Sequence, residues 1–215
     1  MKSFGRISIF SFALIRRFAR VAKGDFKMSL FWIQTYTGLK FDFVELSAES
    51  VNINDIAHAL SNICRYTGHT NGFYSVAQHS VLASLYVPKE DAFIALLHDA
   101  TEAYLTDISK PLKVLLPQYC ELEYKVYGVI AAKFGLPYKL PASVKETDLR
   151  LLATEKRDLL SKEPDEWTTI RTIECYPEKI TPWNQDCAEF MFLKKFRELR
   201  LGIFGQKIYK YDCGG

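Results

Sequence analysis

Phe93-Ile94-Ala95-Leu96-Leu97-His98-Asp99-Ala100-Thr101-Glu102 is the stretch that decides the fold. Phe93, Ile94, Leu96, Leu97 and Ala100 recur at helical spacing, and no glycine or proline interrupts them. Pro88 stops whatever precedes, Lys89-Glu90-Asp91 opens the helix, and the pattern carries on to about Tyr104. Glu102 lies four residues after His98 and three after Asp99, so all three project from neighbouring parts of one helical face. Imidazole nitrogen and carboxylate oxygen suit Zn²⁺, Mn²⁺, Co²⁺ or Fe²⁺. Helical bundles build such sites from several facing helices. An adjacent His-Asp pair is by itself a weak signal, because many helices carry one with no function. The surrounding chain has to supply the rest.

On the N-terminal side, Ser75 opens a helix with Val76, Val81, Leu82 and Leu85 inward, and His79 rides on it. An earlier helix turns Ile56, Ala57, Leu60, Ile63 and Cys64 to one face, with Asn54 or Asp55 placed to cap it. Residues 68–72 form a glycine-bounded loop. Residues 31–36 and 40–46 are rich in aromatic and β-branched side chains around Thr37-Gly38, the pattern of two short strands and a turn. On the C-terminal side, 106–111 reads as a loop leading into 112–116. Residues 121–134 form a helix closed by Gly135 and Pro137, and 142–161 one closed before Pro164, with Asp148 near its start. Pro164, Pro177 and Pro182 make 162–182 irregular, and 183–199 is a last amphipathic helix. The expected fold is all-α, a helical bundle with a small N-terminal β-hairpin, in one domain spanning 28–205 and followed by a tail at 206–215.

The chain has 215 residues, 25% of them charged and 48% hydrophobic, the balance of a globular protein with a sizeable core. Its formal charge is +3, but the first 27 residues hold seven Lys or Arg against Asp25 alone. Without that net of six positive charges the remainder stands at −3, so the basic character belongs to a tail. A mildly acidic body suits a small-ligand enzyme and argues against nucleic-acid polymers as partners. Residues 1–27 are expected to lie outside the fold, as an extension upstream of a start at Met28. A secretory signal or an Arg-rich transit peptide is the alternative. The apolar run at 7–15 is too short to span a bilayer, so no membrane is expected. Five cysteines, an odd number at wide spacings without a C-x-x-C pair, indicate neither a disulfide framework nor a zinc ribbon and fit a cytoplasmic setting.

The order His79, then His98-Asp99, then Asp148 resembles the H…HD…D pattern of the HD phosphohydrolase superfamily. Within it, Ser75-Val76-Ala77-Gln78-His79-Ser80, His98-Asp99-Ala100-Thr101-Glu102 and Thr106-Asp107-Ile108-Ser109-Lys110-Pro111-Leu112-Lys113 are similar to signatures of the bacterial 5′-deoxyribonucleotidases. Phage-type deoxyadenosine triphosphohydrolases share the same frame. The resemblance covers about 53–160. It implies an HD-domain helical bundle, with His79, His98, Asp99 and Asp148 as ligands of one divalent metal (Mn, Co, Zn or Fe, with Mg also admitted). It implies further that Glu102 orients or deprotonates the attacking water, that Arg65 and Lys113 meet the phosphate, and that Asp107 sits near the sugar hydroxyl. Gln78 departs from the pattern, standing where the nucleotidases often have Glu, at a position that is not a ligand.

The implied function is hydrolysis of the 5′-phosphate ester of nucleotides, deoxyribonucleoside monophosphates first. The same centre also admits cleavage of a deoxynucleoside triphosphate with release of triphosphate, and the choice depends on pocket depth beyond the α-phosphate. A catalytically silent nucleotide-binding domain is the reading from another class, and a phosphodiesterase is a third. The expected partner is a small-molecule nucleotide, and a homodimer is compatible with the last amphipathic helix. The other histidines have plainer alternatives. His58, mid-helix between alanines, reads as structural, whereas His69 is placed to line the pocket. Arg65 at a helix end also has the option of bonding terminal carbonyls. Tyr66, Trp32 and Tyr36 read as core more readily than as platforms for a base.

Overall fold

The computed structural model describes residues 31–202; the extension at 1–27 and the tail at 206–215 lie outside the described residues. Two antiparallel strands come first, β1 (Trp32–Gln34) and β2 (Lys40–Asp42), in the register Trp32↔Asp42, Ile33↔Phe41, Gln34↔Lys40. Gly38 supplies the left-handed residue of the turn, at φ +85°, and its N–H donates to Thr35 O at 3.0 Å. Both strands are shorter than the sequence pattern suggests. After Asp42 its carboxylate accepts from Val44 N and Glu45 N at 3.0 and 3.1 Å, which turns the chain out of the ladder.

Helices fill most of the rest: α1 (Ile53–Asn62), α2 (Val76–Tyr86), α3 (Ala92–Leu97), α4 (Glu102–Leu105), α5 (Lys110–Lys113), α6 (Pro117–Phe134), α7 (Ala142–Leu159) and α8 (Gln185–Arg200). The mostly helical architecture with a small N-terminal hairpin is thus as expected. Helix α2 starts where the sequence places it, with Ser75 Oγ accepting from Gln78 N at 3.1 Å. The cap of α1 is Asn52, which accepts from Asn54 N; neither Asn54 nor Asp55 fills that role. Asp55 is instead buried and accepts from Thr37 N and Oγ1 at 2.6 and 3.0 Å, fastening the hairpin turn to α1. Helix α6 begins at Pro117, earlier than the apolar periodicity alone indicates, because proline fits the first helical turn. The segment read as a loop up to Pro111 already holds the short helix α5.

The largest departure lies in the deciding stretch. The helix expected to run to Tyr104 stops as α3 at Leu97, and α4 begins at Glu102. Between them the turn tightens to i→i+3 bonds, Ala100 N to Leu97 O at 3.1 Å and Glu102 N to Asp99 O at 3.0 Å. The cause is His98, whose Nδ1–H donates to Ala95 O at 2.7 Å. That carbonyl is the one an α-helix would offer to the Asp99 N–H. The break therefore follows from how His98 is oriented.

Helix α2 is central and packs on α1, α3, α7 and α8. It is buried nearly all round, so Gln78, His79 and Ser80 are as enclosed as Val76 and Val81. Ile56, Leu60, Leu96, Leu97, Leu151 and Phe192 close the main core around it. Phe41 carries the hairpin into the same core, stacked on Tyr104 at 3.9 Å between ring centroids. No helix of the described residues is long and apolar enough to cross a membrane. Cys64, Cys120 and Cys175 are free thiols.

Candidate metal centre

Two imidazoles face each other across the interior, His79 from α2 and His98 from the α3–α4 break, with ring centroids 5.3 Å apart. Each has its Nδ1 committed, His79 to Glu155 Oε1 at 2.6 Å and His98 to Ala95 O at 2.7 Å. Each therefore presents Nε2, and both Nε2 atoms are buried without a hydrogen bond. Carboxylate oxygens stand close by. Asp148 Oδ1 from α7 is 3.2 Å from His79 Nε2. Asp99 Oδ2 is 3.2 Å from His98 Nε2 and 3.6 Å from His79 Nε2. The ligand atoms of His79, His98 and Asp148 all lie within 4.8 Å of one another. Atoms that share an ion at about 2.0–2.2 Å stand at most about 4.4 Å apart, so only small adjustments would close the set. Buried nitrogen atoms without a hydrogen bond are costly in an apolar interior, and a divalent cation shared with the nearby carboxylates would offset that cost. The donor set fits the metal class read from the sequence.

Glu155, buried on α7, organises the wall behind this cluster. Its Oε1 accepts from His79 Nδ1 and from Tyr74 OH, the latter at 2.8 Å. Its Oε2 accepts from Arg65 NH2 at 3.0 Å and Tyr66 OH at 2.6 Å. Arg65 NH1 also stands 3.6 Å from Asp99 Oδ2, and its Nε is buried and unbonded. The turn that bears Arg65 is unusual, with Tyr66, Thr67 and Gly68 at φ +55°, +54° and +81° in succession. Two consecutive non-glycine residues in the left-handed region are strained and need outside support.

Glu102 begins α4 beside Asp99. It is buried, Oε2 has no hydrogen-bond partner, and Oε1 lies 3.8 Å from Lys113 Nζ. Lys113 is anchored to Glu123 at 2.7 Å. Asp107 follows Thr106, which is held at φ +66°. Burial raises the Glu102 carboxyl well above the ordinary range, and Asp99 and Asp107 push it further. Burial likewise raises Asp107, where Arg65 pulls the other way. At His79, burial and Arg65 oppose the charged ring, but Glu155 and Asp148 outweigh them and push it up to about 10. A cation held by Nε2 would have to displace this proton. At Asp148 burial is outweighed by His79, which holds that carboxyl low.

Over 169 residues the chain is 46% identical to the uncharacterized protein YfdR of Escherichia coli strain K12, covering 78% of this chain and 95% of that one. The chain belongs to the YfdR family. Also similar is an uncharacterized protein of Rhodobacter capsulatus, 35% identical over 124 residues, which covers 53% of this chain and 63% of that one. No protein-family model matches the chain.

Of the residues singled out in the sequence of this YfdR-family chain, the fold gathers His79, His98, Asp99, Asp148, Arg65, Glu102 and Lys113 through the contacts above. Asp107 joins them through its electrostatic coupling to Arg65 and Asp99. His69 is exposed just past the strained turn, and its side chain makes no hydrogen bond or ion pair among the described residues. His58 has the structural role read for it, with Nδ1 3.0 Å from Glu189 Oε2 and its ring stacked on Tyr36. Trp32 and Tyr36 are exposed on the hairpin and not core, while Tyr66 is turned onto Glu155. Glu155 itself was not singled out. It follows Asp148 by seven residues, two helical turns on the same face of α7, but a glutamate at that spacing alone reads as a solvated charge.

The Glu155 cluster implies a definite acid response. Burial alone would raise the carboxyl, but Arg65, His79 and Tyr66 outweigh it and hold it at about 2, against 4.5 when unperturbed. A depressed carboxyl contributes stability that is complete above the unfolded value and is lost as pH falls through the folded one. Metal-free protein should therefore lose on the order of a few kcal/mol between about pH 4.5 and 2. Thermal melts across that window should show a steep fall in Tm, and Glu155→Gln should flatten it.

Proposed function

We propose that this chain is a metal-dependent phosphohydrolase of HD type that cleaves the 5′-phosphate ester of deoxyribonucleoside monophosphates. One observation carries the reading. Two buried, unbonded imidazole nitrogens converge with the carboxylates of Asp99 and Asp148 immediately beside the largely enclosed Arg65. His79, His98, Asp99 and Asp148 would hold the cation. A divalent cation there supplies Lewis-acid neutralisation of phosphoryl charge and acidification of water.

The chain's own residues do the rest. Arg65, mostly enclosed and backed by Glu155, is held to donate to the phosphoryl oxygens, where charge develops. Lys113, tied to Glu123, adds positive charge next to Glu102. Glu102 has one oxygen free to hold the attacking water in line and accept its proton. Asp107 would meet the sugar hydroxyl. No side chain needs to form a covalent bond to phosphorus. A cytoplasmic location belongs to this reading, because the substrate is a nucleotide.

The test is product analysis on protein stripped of metal and refilled with Mn²⁺, Co²⁺, Zn²⁺ or Mg²⁺, offered dAMP, dGMP, AMP, dATP and dGTP. Metal-dependent orthophosphate from the deoxy-monophosphates is the expected result. Triphosphate plus nucleoside from the triphosphates would make the protein a triphosphohydrolase instead. No product with any metal would overturn the phosphohydrolase assignment in favour of a binding domain.

A further inference from the structure

Glu155 divides its four hydrogen bonds in a way that a purely structural carboxylate would not require. Oε1 faces the cation side of the site, taking His79 Nδ1 and Tyr74 OH. Oε2 faces the anion side, taking Arg65 NH2 and Tyr66 OH. All four donors come from the segment that leads from the strained turn at Arg65 into α2, and all four converge on one side chain of α7. We propose that Glu155 is the positioning residue that couples the two halves of the site. It fixes His79 as an Nε2 ligand, and with its other oxygen it locks the Tyr66-Thr67 turn so that Arg65 stays aimed at the phosphate. The inference rests on the metal-centred reading of the site.

Each half follows from chemistry at one oxygen. An imidazole whose Nδ1 donates to a carboxylate has its tautomer and ring angle set, and Nε2 is left as the basic atom. The left-handed backbone at Tyr66 and Thr67 is unfavourable for residues bearing a Cβ. The Tyr66 OH to Oε2 bond and the Arg65–Oε2 ion pair are contacts that hold it. An amide in place of the carboxylate has one acceptor oxygen and a donor NH₂, so it can serve one pair of donors but must oppose the other.

The experiment uses the full chain and compares wild type, Glu155→Gln and Tyr66→Phe. Mn²⁺ affinity is measured by calorimetry, dAMP affinity by calorimetry on the Mn²⁺-loaded protein, and folding by circular dichroism. Glu155→Gln should weaken Mn²⁺ binding by roughly 10–100-fold, the usual effect of losing a partner behind a ligand, and should weaken dAMP binding as well. Tyr66→Phe removes a donor from Oε2 alone, at a partly exposed residue. It should weaken dAMP binding several-fold and leave Mn²⁺ affinity within twofold of wild type. Wild-type Mn²⁺ affinity in folded Glu155→Gln overturns the proposal. So does a Tyr66→Phe protein that loses Mn²⁺ and dAMP equally, or that keeps wild-type affinity for both, and this arm stands even where Glu155→Gln does not fold. Should wild type bind Mn²⁺ but not dAMP, the substrate reading falls, and the coupling falls with it only when Glu155→Gln binds Mn²⁺ normally. A Mn²⁺ loss in Glu155→Gln would then uphold the His79 half.

Discussion

Asp148→Ala should yield a folded protein that no longer retains a divalent cation. The two halves of that statement rest on different observations. Asp148 keeps 45% of its side-chain surface in water, and its close contact is the 3.2 Å approach to His79 Nε2. Truncating it removes little packing and strands no buried partner except the imidazole, which Glu155 still holds from behind. The same truncation deletes a charged donor from the group of His79, His98 and Asp148. Losing a group that merely supports a ligand costs about 10–100-fold in metal affinity, so losing a ligand should cost more than that upper bound. Metal content after dialysis and Mn²⁺ titration would measure it, with a thermal melt of the metal-free protein as the control for folding. Unchanged affinity would mean that Asp148 stands beside the centre without belonging to it. The other ligands are poorer choices for this test. His79 is fully enclosed, and its removal would leave Glu155 charged, buried and short of a partner, which destabilises the fold whatever the metal does.

Sequence and structure agree where the hydrophobic period is long and the caps are strong. Helices α2, α7 and α8 lie close to where their apolar spacing puts them, and the Ser75 cap is legible as a residue type in front of an apolar run. The site follows from those helices, because His79 and Asp148 sit on two of them and the fold packs α2 against α7. What the sequence hides is decided by side chains competing with the backbone. The break at His98 arises because an imidazole takes the Ala95 carbonyl, and no propensity marks that. The early end of β2 arises because Asp42 captures two N–H groups. Asp55 reads as a helix cap and is spent on Thr37 of the hairpin, a contact across 18 positions of sequence. Glu155 is hidden for another reason. A glutamate in a helix between Thr154 and Lys156 reads as a solvated charge, and only the convergence of four donors from elsewhere in the chain reveals it as buried.

Glu102→Gln should keep the cation and lose the turnover. The substitution preserves volume at a position with 4% of its surface exposed, so the packing around Tyr104 and the start of α4 is retained. Lys113 loses a charge 3.8 Å away but keeps Glu123 at 2.7 Å. Glu102 is not among the atoms that converge on the cation group, so Mn²⁺ affinity should stay within a few-fold of wild type. What disappears is the capacity to accept a proton. General-base assistance contributes roughly 10²–10⁴ to rate, and kcat on the deoxy-monophosphate should fall by that much while KM changes little, since an amide oxygen still bonds water. Burial is the largest influence on the Glu102 carboxyl and raises it, so wild-type kcat should also climb with pH as Glu102 deprotonates. The residual activity of Glu102→Gln should lack that limb. A variant with wild-type kcat and an unchanged pH profile would remove Glu102 from the handling of water and shift that role to Asp107 or to the cation group acting alone.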